Sequence, residues 1–363
     1  MSYVFTSESV TEGHPDKVCD FISDSLLDAY VAGDPDSHVA VETLVKGGVV
    51  VLGGEVTSDH TIDREAIIRE AIRKVGYTDP NEPFNAAGVS ICQYISKQSQ
   101  EIGNKVDRNG DQGAGDQGIM FGFASRETDC LMPLPIHLAH RLSQGLAEDR
   151  KNCKHKWLRP DGKTQVSVLY EDHVPKEVTT VVVSTSHDGD FCLDAIKDYV
   201  ESDLCPRILG GWYHKGIDVH ANPGGSFILG GPSADAGVTG RKIICDTYGG
   251  MGRHGGGAFS GKDPSKVDRS AAYFCRFVAR HVIKEKLAEW VEIQVSYAIG
   301  ETQPISVKVD TFGTGDEAKV ASFVKGFDFG PKAIIERLDL LKPIYASTVN
   351  YGHFGRPGFS WEA

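Results

Sequence analysis

Three separated stretches of the chain share one order of predicted elements, which is strand, strand, helix. In the first, alternating apolar residues predict a strand over His38–Lys46, and Gly47 and Gly48 predict a tight turn into a second strand over Val49–Thr57. A helix is predicted over residues 62–75, where the apolar side chains fall on one face. A strand pair with one helix cannot bury its own apolar face, so these units must pack on further helices or on each other.

The second and third stretches repeat this order. Their strands and helices are predicted over residues 164–170, 178–186 and 193–204, and over residues 291–299, 303–310 and 316–325. The copies share no residue-level identity, but 363 residues suffice for two or three domains. The pattern therefore predicts an α+β fold with a three-fold internal repeat.

Two longer helices are predicted outside these units, over residues 16–30 and 264–287. Pro15 suits the first turn of the first helix, and Asp263 suits the N-cap of the second. The first helix carries carboxylates at four-residue spacing, which are Asp16, Asp20, Asp24 and Asp28. We interpret the last three as a solvated face, whereas the first lies beside His14 at the helix start and is a candidate metal ligand.

The composition excludes several classes of function. A formal net charge of −12 argues against binding to nucleic acid or to an anionic membrane, so a bound polyphosphate would need a local basic pocket. The eight cysteines form no CxxC pair, which argues against a zinc site of that type. The sequence has no signal-peptide pattern and no apolar run of membrane-spanning length, so we expect a cytoplasmic protein with reduced thiols.

The strongest local signal for chemistry is the glycine-rich segment 249–262, between a predicted strand over 242–248 and the helix predicted from 264. Glycines expose backbone N–H groups, which form an anion site together with a helix N-terminus. Lys262 and Lys266 add positive charge there, and Asp268 could hold a metal ion. A flexible surface loop is the alternative interpretation of the glycines alone.

Two familiar nucleotide-binding patterns do not fit this chain. Residues 250–255 have the glycine spacing of the dinucleotide fingerprint, but the βαβ unit that it needs is absent. Residues 162–164 end like a P-loop, but Trp157 stands where its first glycine belongs. Asp161 and Gly162 are instead typical of a hairpin turn.

Three short segments add further candidate ligands. His14 and Asp16 flank Pro15. A carboxylate together with phosphate oxygens is a set of ligands that Mg²⁺ prefers. An ordinary helix start is the simpler interpretation of that segment alone. Arg241 and Lys242 are adjacent cations, and the glycine-rich turn 113–118 contains a single carboxylate. Together these features indicate Mg²⁺-triphosphate chemistry without identifying a nucleophile.

Several of these segments together resemble the S-adenosylmethionine synthetases (methionine adenosyltransferases). Residues 5–17 read FTSESVTEGHPDK, residues 113–118 read GAGDQG, and residues 255–263 read GGGAFSGKD, as in that family. Further matches, in family order, lie at residues 97–99, 159–163, 239–242, 295–300 and 351–355. The resemblance implies that ATP, L-methionine and water give S-adenosylmethionine, phosphate and diphosphate. The thioether sulfur would attack C5′ and displace tripolyphosphate, which needs alignment and charge stabilisation but no general base.

The resemblance also implies roles for individual residues. The catalytic residues would be His14, Lys163, Arg241, Lys262 and Lys266. The ATP-binding residues would be His14, Asp161, Lys163, Phe227, Asp235, Arg241, Lys242, Ala258 and Lys262. The methionine-binding residues would be Glu55, Gln98, Asp116, Asp235, Lys266 and Ile299. Asp16 and Asp268 would hold Mg²⁺, with two ions per site, Glu42 would hold one K⁺, and residues 98–107 would form a mobile gate.

The fold implied by the resemblance consists of three similar domains, each a β-sheet with helices, related by pseudo-three-fold symmetry and interleaved in sequence. The approximate boundaries would be residues 1–10 with 130–230 for an N-terminal domain, 11–105 with 231–270 for a central domain, and 106–129 with 271–363 for a C-terminal domain. Family members form homodimers with a shared active site, commonly paired into homotetramers.

One position departs from the family pattern, because Ser226 stands where the family usually has arginine before Phe227. This departure predicts a weaker contact on the ATP side. Two alternatives to the synthetase remain at this point: another Mg²⁺-dependent ligase or kinase that uses ATP, and a non-catalytic nucleotide-binding homologue. The second is disfavoured because the charged residues are retained, namely His14, Asp16, Lys163, Lys262, Lys266 and Asp268.

Overall fold

The computed structural model describes residues 2–97, 107–108 and 111–363. The strands are β1 (Ser2–Val10), β2 (His38–Lys46), β3 (Val49–Thr57), β4 (Ser90–Ser96), β5 (Asp107–Arg108), β6 (Asp111–Gln112), β7 (Gly118–Ser125), β8 (Leu158–Glu171), β9 (Val174–His187), β10 (Asp218–Ala221), β11 (Gly237–Val238), β12 (Trp290–Tyr297) and β13 (Ser306–Asp310). The α-helices are α1 (Pro15–Gly33), α2 (Arg64–Val75), α3 (Leu134–Lys151), α4 (Leu193–Tyr199), α5 (Cys205–Leu209), α6 (Gly231–Ala234), α7 (Ile243–Asp246), α8 (Val267–Lys284), α9 (Glu317–Val324) and α10 (Pro331–Leu338).

The strands form three main sheets and a short ribbon of β5 and β6. The sheet orders are β1-β8-β9-β10, β11-β2-β3-β4 and β13-β12-β7. Neighbouring strands are antiparallel, except that β10 runs parallel to β9 and β4 runs parallel to β3. Each sheet combines strands that are distant in the chain, and the mixture of sheets and helices confirms the predicted α+β class.

Helices cover the sheets and bury two apolar cores. The larger core lies between the sheets that contain β8 and β12, and it includes the faces of α3 and α8. The smaller core lies between α1, α2 and the sheet that contains β2. Strand β7 crosses α8 so closely that a Cβ on Gly122 would lie 2.1 Å from the Cys275 backbone, so the contact requires glycine there.

The first predicted unit agrees with the structure, whereas two local predictions elsewhere in the chain are wrong. Residues 242–248 do not form a strand, because α7 forms within them, with the Asp246 N–H bonded to the Lys242 carbonyl at 2.8 Å. Asp161 and Gly162 do not form a hairpin turn, because they lie inside β8. The turn comes later, where Asp172 and His173 have positive φ angles.

The predicted N-cap of the second long helix is also wrong. Helix α8 begins at Val267 and its N-cap is Lys266. Asp263 instead accepts a hydrogen bond from the Val39 N–H at 2.6 Å and pairs with Lys266. The carboxylate therefore attaches the end of the glycine-rich segment to β2 instead of starting the helix.

The carboxylates of α1 are not a solvated face. Asp20 and Asp24 are fully buried, and Asp28 accepts hydrogen bonds from the backbone N–H groups of Tyr345 and Ala346, both at 2.8 Å. These carboxylates face the C-terminal half of the chain, which the sequence pattern of one helix cannot reveal. Among the described residues, none of the helices combines the length and the apolar character that a membrane crossing requires.

Candidate active site

The start of α1 places His14 and Asp16 at the edge of the sheet that contains β8. Strand β1 pairs with β8 up to Val10 opposite Lys163, and the chain then turns into the helix. His14 is the N-cap, and its Nδ1 accepts a hydrogen bond from the Asp16 N–H at 3.2 Å. Burial, and next the positive charge of Lys242, lower the pKa of His14 to about 3. The ring is therefore neutral near pH 7. Because Nδ1 accepts the bond from the Asp16 N–H, the single ring proton lies on Nε2, which can donate a hydrogen bond.

Asp16 lies among cations and is almost completely buried. Its carboxylate accepts hydrogen bonds from the Val238 N–H at 3.0 Å and from Lys242 Nζ at 2.6 Å, and Arg241 Nε lies 3.8 Å away. Burial raises the pKa of this carboxyl, but the hydrogen bonds from Lys242 and Val238 outweigh burial, so the pKa lies below its usual value. Asp16 is therefore an ionised carboxylate within reach of two positive side chains.

Further residues that the sequence predicts to bind ATP lie along β8 and near Phe227. Asp161 accepts a hydrogen bond from the Gly231 N–H at 2.7 Å, and burial raises its pKa to about 6. A Cβ on Gly230 would lie 3.1 Å from Asp161 Cβ and 3.2 Å from the Phe227 ring, so these three residues are neighbours. The Phe227 N–H donates to His187 Nε2 at 3.1 Å, which fixes the backbone next to its ring.

These residues make up what we call the first group of predicted site residues. Its members are His14, Asp16, Asp161, Lys163, Phe227, Asp235, Arg241 and Lys242. Lys163, Asp235 and Arg241 are exposed, whereas His14 and Asp16 are buried. The first group therefore combines exposed charged side chains with a buried imidazole and a buried carboxylate.

The glycine-rich segment is packed against its surroundings and is not a free loop. A Cβ on Gly257 would lie 2.2 Å from Asp268 Oδ1, and one on Gly255 would lie 1.7 Å from the Ile119 carbonyl oxygen. Lys262 Nζ pairs with the Asp268 carboxylate. Glycine is therefore required at position 255, where the contact is with backbone, whereas a Cβ on Gly257 would displace the carboxylate of Asp268, a proposed metal ligand.

A cavity of about 350 Å³ opens beside Lys262. Its lining includes the predicted residues Glu42, Glu55 and Ala258, which β2, β3 and the glycine-rich segment supply. Ser260 also lines it, and among the described residues its buried Oγ has no hydrogen-bond partner. The sequence analysis did not single out Ser260, although it lies inside the GGGAFSGKD segment.

The remaining predicted residues lie near Lys266. A Cβ on Gly115 would lie 3.0 Å from the Ser265 carbonyl oxygen, so the turn that carries the exposed Asp116 adjoins Lys266. The Gly300 N–H donates to the Ala114 carbonyl at 2.8 Å, which places the exposed Ile299 beside the same turn. We call the second group Glu42, Glu55, Asp116, Ala258, Lys262, Lys266, Asp268 and Ile299. Gln98 and almost all of the expected gate lie outside the described residues.

The two groups adjoin through residues 237–242. A Cβ on Gly237 would lie 2.2 Å from the Pro15 carbonyl oxygen, and one on Gly240 would lie 2.5 Å from Ala258 Cβ. Thr239, between them, lines the 350 Å³ cavity. One short segment therefore contacts both groups.

The carboxylates in these groups suit a metal ion that shares its coordination with a substrate. Asp16 and Asp268 each face a lysine, and Mg²⁺ is commonly bound by one or two carboxylates plus phosphate oxygens. A compact group of Asp149, His155 and Asp203 lies elsewhere. Its carboxylates are already paired with Lys154 and Arg207, which explains that group as an ion-pair network.

Comparison with protein families identifies the class of this site. Residues 2–100, 111–227 and 229–363 match the models of the N-terminal, central and C-terminal domains of S-adenosylmethionine synthetase. The chain belongs to the S-adenosylmethionine synthetase family. It is therefore an enzyme, a transferase of the methionine adenosyltransferase class. These models match consecutive parts of the chain, and the interleaved domain boundaries stay a prediction.

Individual relatives agree with this assignment. The chain is 52% identical over 368 residues to the S-adenosylmethionine synthase of Sorangium cellulosum, covering 99% of this chain and 87% of the relative. It is also 52% identical over 369 residues to the S-adenosylmethionine synthase of Salinibacter ruber, covering 100% of this chain and 96% of the relative. The family binds ATP and methionine and uses metal ions, whereas the cytoplasmic location stays a prediction.

Proposed function

We propose that this member of the synthetase family converts ATP, L-methionine and water to S-adenosylmethionine, phosphate and diphosphate, with Mg²⁺ and K⁺. The observation that carries the proposal is the first group, in which the ionised Asp16 lies under Lys242 and Arg241 and beside the neutral His14. Such a site binds a metal-bound triphosphate and has no need of a base, because a thioether has no proton to lose.

The residues act by stabilising the triphosphate as it leaves. His14 donates its Nε2–H to the oxygen next to C5′, where negative charge develops as the C5′–O bond breaks. Lys163, Arg241, Lys242, Lys262 and Lys266 contact the other oxygens, and preorganised cations of this kind act most strongly in a site from which water is excluded. Asp16 and Asp268 hold Mg²⁺, which adds positive charge at the same oxygens when it is bound.

Three of these lysines form ion pairs with carboxylates. Lys242 pairs with Asp16, Lys262 with Asp268, and Lys266 with Asp263. Asp16 and Asp268 are the carboxylates that would hold Mg²⁺, so a bound ion would leave Lys242 and Lys262 free to contact phosphate. The ion pairs therefore keep the cations in place before the nucleotide arrives.

The other predicted residues orient the two reacting atoms. Phe227 stacks near adenine, and Asp161 and Asp235 contact the ribose or the methionine amino group. Ala258 lines the ATP side, and the methionine side comprises Glu55, Gln98, Asp116, Asp235, Lys266 and Ile299. Glu42, in the 350 Å³ cavity, holds K⁺ as a structural activator.

We propose that the active site is shared between two copies of the chain, with dimers pairing into tetramers. The predicted residues fall into two groups, and in a homodimer the first group of one copy can face the second group of the other. Sedimentation velocity would test the oligomer. Active-site complementation between a His14→Ala chain and a Lys262→Ala chain would test sharing, because mixed dimers would then regain one intact site.

Product analysis tests the reaction directly. Purified protein is incubated with ATP, L-methionine, Mg²⁺ and K⁺, and mass spectrometry follows the adenosylated sulfonium while phosphate and diphosphate are quantified. Equal amounts of the three products support the proposal. Formation of ADP or AMP without a sulfonium would instead identify a kinase or another ligase, and no sulfonium under any condition would refute the proposal.

A further inference from the structure

The lysine that follows Asp16 is buried, and its ammonium group is held by two buried carboxylates. Lys17 is 3% exposed, and its Nζ donates to Asp20 at 3.0 Å and to Asp246. Both carboxylates are buried as well. Burying a charged trio costs desolvation free energy that well-packed apolar residues would avoid, so stability alone does not explain it. Lys17 is also too enclosed to act as one more cation for phosphate.

The Lys17–Asp246 pair joins the same two segments as a pair in the proposed site. Lys17 follows Asp16 on α1, and Asp246 ends α7, where its N–H bonds to the Lys242 carbonyl at 2.8 Å. On the other side, Lys242 Nζ contacts Asp16 at 2.6 Å. Two ion pairs, Lys17–Asp246 and Asp16–Lys242, therefore connect the start of α1 to residues 242–246. The Lys17–Asp246 pair is buried.

Further buried contacts hold Asp246 from behind. The His353 N–H donates to the Asp246 carbonyl at 2.9 Å, and His353 Nδ1 lies 2.7 Å from the Tyr273 hydroxyl. Arg269 Nε donates to that hydroxyl at 3.1 Å, and the same guanidinium binds both carboxylate oxygens of Asp24 on α1, at 2.8 and 2.7 Å. The chain of contacts thus returns to α1, the helix that carries Asp16.

We infer that Lys17 and Asp246 are positioning residues that fix the Asp16 carboxylate relative to Lys242 for the adenosyl transfer. The inference rests on the proposed function, because it explains the relative position of Asp16 and Lys242, which that function uses. A buried pair that sets geometry predicts a defect in turnover and in metal binding that exceeds its effect on stability. A pair that serves only folding predicts the opposite balance.

The test compares two carboxylate-to-amide changes in buried ion clusters. Asp246→Asn replaces the carboxyl group with an amide of nearly the same shape, while Lys17 keeps Asp20 as its partner. Glu362→Gln is the matched control, because Glu362 is buried against Arg276 and Arg280 and contacts no member of either group. Thermal unfolding, kcat and KM for both substrates are measured for the two variants and the unchanged chain. Mn²⁺ affinity in the presence of the β,γ-imido analogue of ATP is measured by electron paramagnetic resonance.

We expect Asp246→Asn to lower kcat by about tenfold or more, because moving a positioned group by about 1 Å can lower the rate by about 100-fold. The KM for ATP should change far less. We expect its Mn²⁺ affinity to fall by about tenfold, as for other residues that orient metal ligands. Glu362→Gln should lower the melting temperature, while its kcat and its Mn²⁺ affinity stay near those of the unchanged chain. If Asp246→Asn does not fold, Asp246→Glu keeps the charge, moves the carboxylate by one methylene and should show the same split.

Two results would overturn the inference. One is unchanged kcat and Mn²⁺ affinity in the Asp246 variant, and the other is an equal loss of both in Glu362→Gln. A failure of the proposed function looks different, because the unchanged chain would then form no sulfonium in the first measurement.

Discussion

Replacing Lys262 with methionine should slow the reaction severely while leaving the fold intact. Lys262 lies between the 350 Å³ cavity and Asp268, and 26% of its side chain is exposed. Its ion pair with Asp268 is partly solvated, and such pairs contribute about 0–1 kcal/mol to stability. The free energy of unfolding should therefore change by no more than about 1 kcal/mol, which for a chain of this size shifts the melting temperature by a few degrees at most.

The expected loss in rate is much larger. Removing one preorganised group that stabilises developing negative charge typically lowers kcat by about 10²–10³, or about 2.7–4 kcal/mol. Initial rates of sulfonium formation, measured by mass spectrometry at saturating ATP and methionine, give kcat directly. Calorimetry on the same preparation gives the melting temperature.

Lys154→Met is the matched control for this change. Lys154 is 41% exposed and pairs with Asp203, which contacts no member of either group. Its loss should leave kcat within about twofold, because a surface ion pair far from the reacting atoms contributes only to stability. A fall of less than about tenfold in the Lys262 variant, or an equal fall in both variants, would refute the role of Lys262 in the transition state.

Four further results are expected. Gly257→Ala should lower activity by about tenfold or more, because its Cβ would lie 2.2 Å from Oδ1 of Asp268, the proposed metal ligand, and would displace it. Unchanged kinetics would contradict this. Ser226→Arg should lower KM for ATP, and an unchanged KM would reject a weakened contact at that position. Glu42→Gln should remove the response of the rate to K⁺, measured against Na⁺ at equal ionic strength. Burial raises the pKa of Asp161 from 3.8 to about 6, so its contribution to stability is complete below about pH 4 and is lost as pH rises through 6. In chemical unfolding, Asp161→Asn should remove this decrease in the free energy of unfolding between about pH 4 and 6.

The sequence predicts the parts of the fold that depend on neighbouring residues. Strands β2 and β3 were predicted with their observed bounds, because the alternation and the two-glycine turn are local signals. The strand over 242–248 was wrong, because a short apolar segment does not distinguish a strand from a turn of helix. The buried carboxylates of α1 could not be predicted, since Asp24 meets Arg269 across 245 residues of chain.

The same distinction applies to the site. Motif residues were named from the sequence, and the structure brings them into two groups joined by residues 237–242. The Lys17–Asp246 pair spans 229 residues, and no local pattern of charges indicates it. The Ser260 hydroxyl, which has no hydrogen-bond partner in the described part of the chain, was also beyond prediction, because a sequence does not show which buried polar groups lack partners.

The pairing of β1 with β8 governs how the chain can fold during its synthesis. Thr6 on β1 contacts Ser167 on β8, which is made 161 residues later. At roughly 5–20 residues per second, the ribosome needs about 8–30 seconds to supply that partner. Until then the backbone groups of β1 bond to water, and the strand is open to pairing with other chains. We therefore expect the nascent protein to be most prone to aggregation before about half of it has been translated.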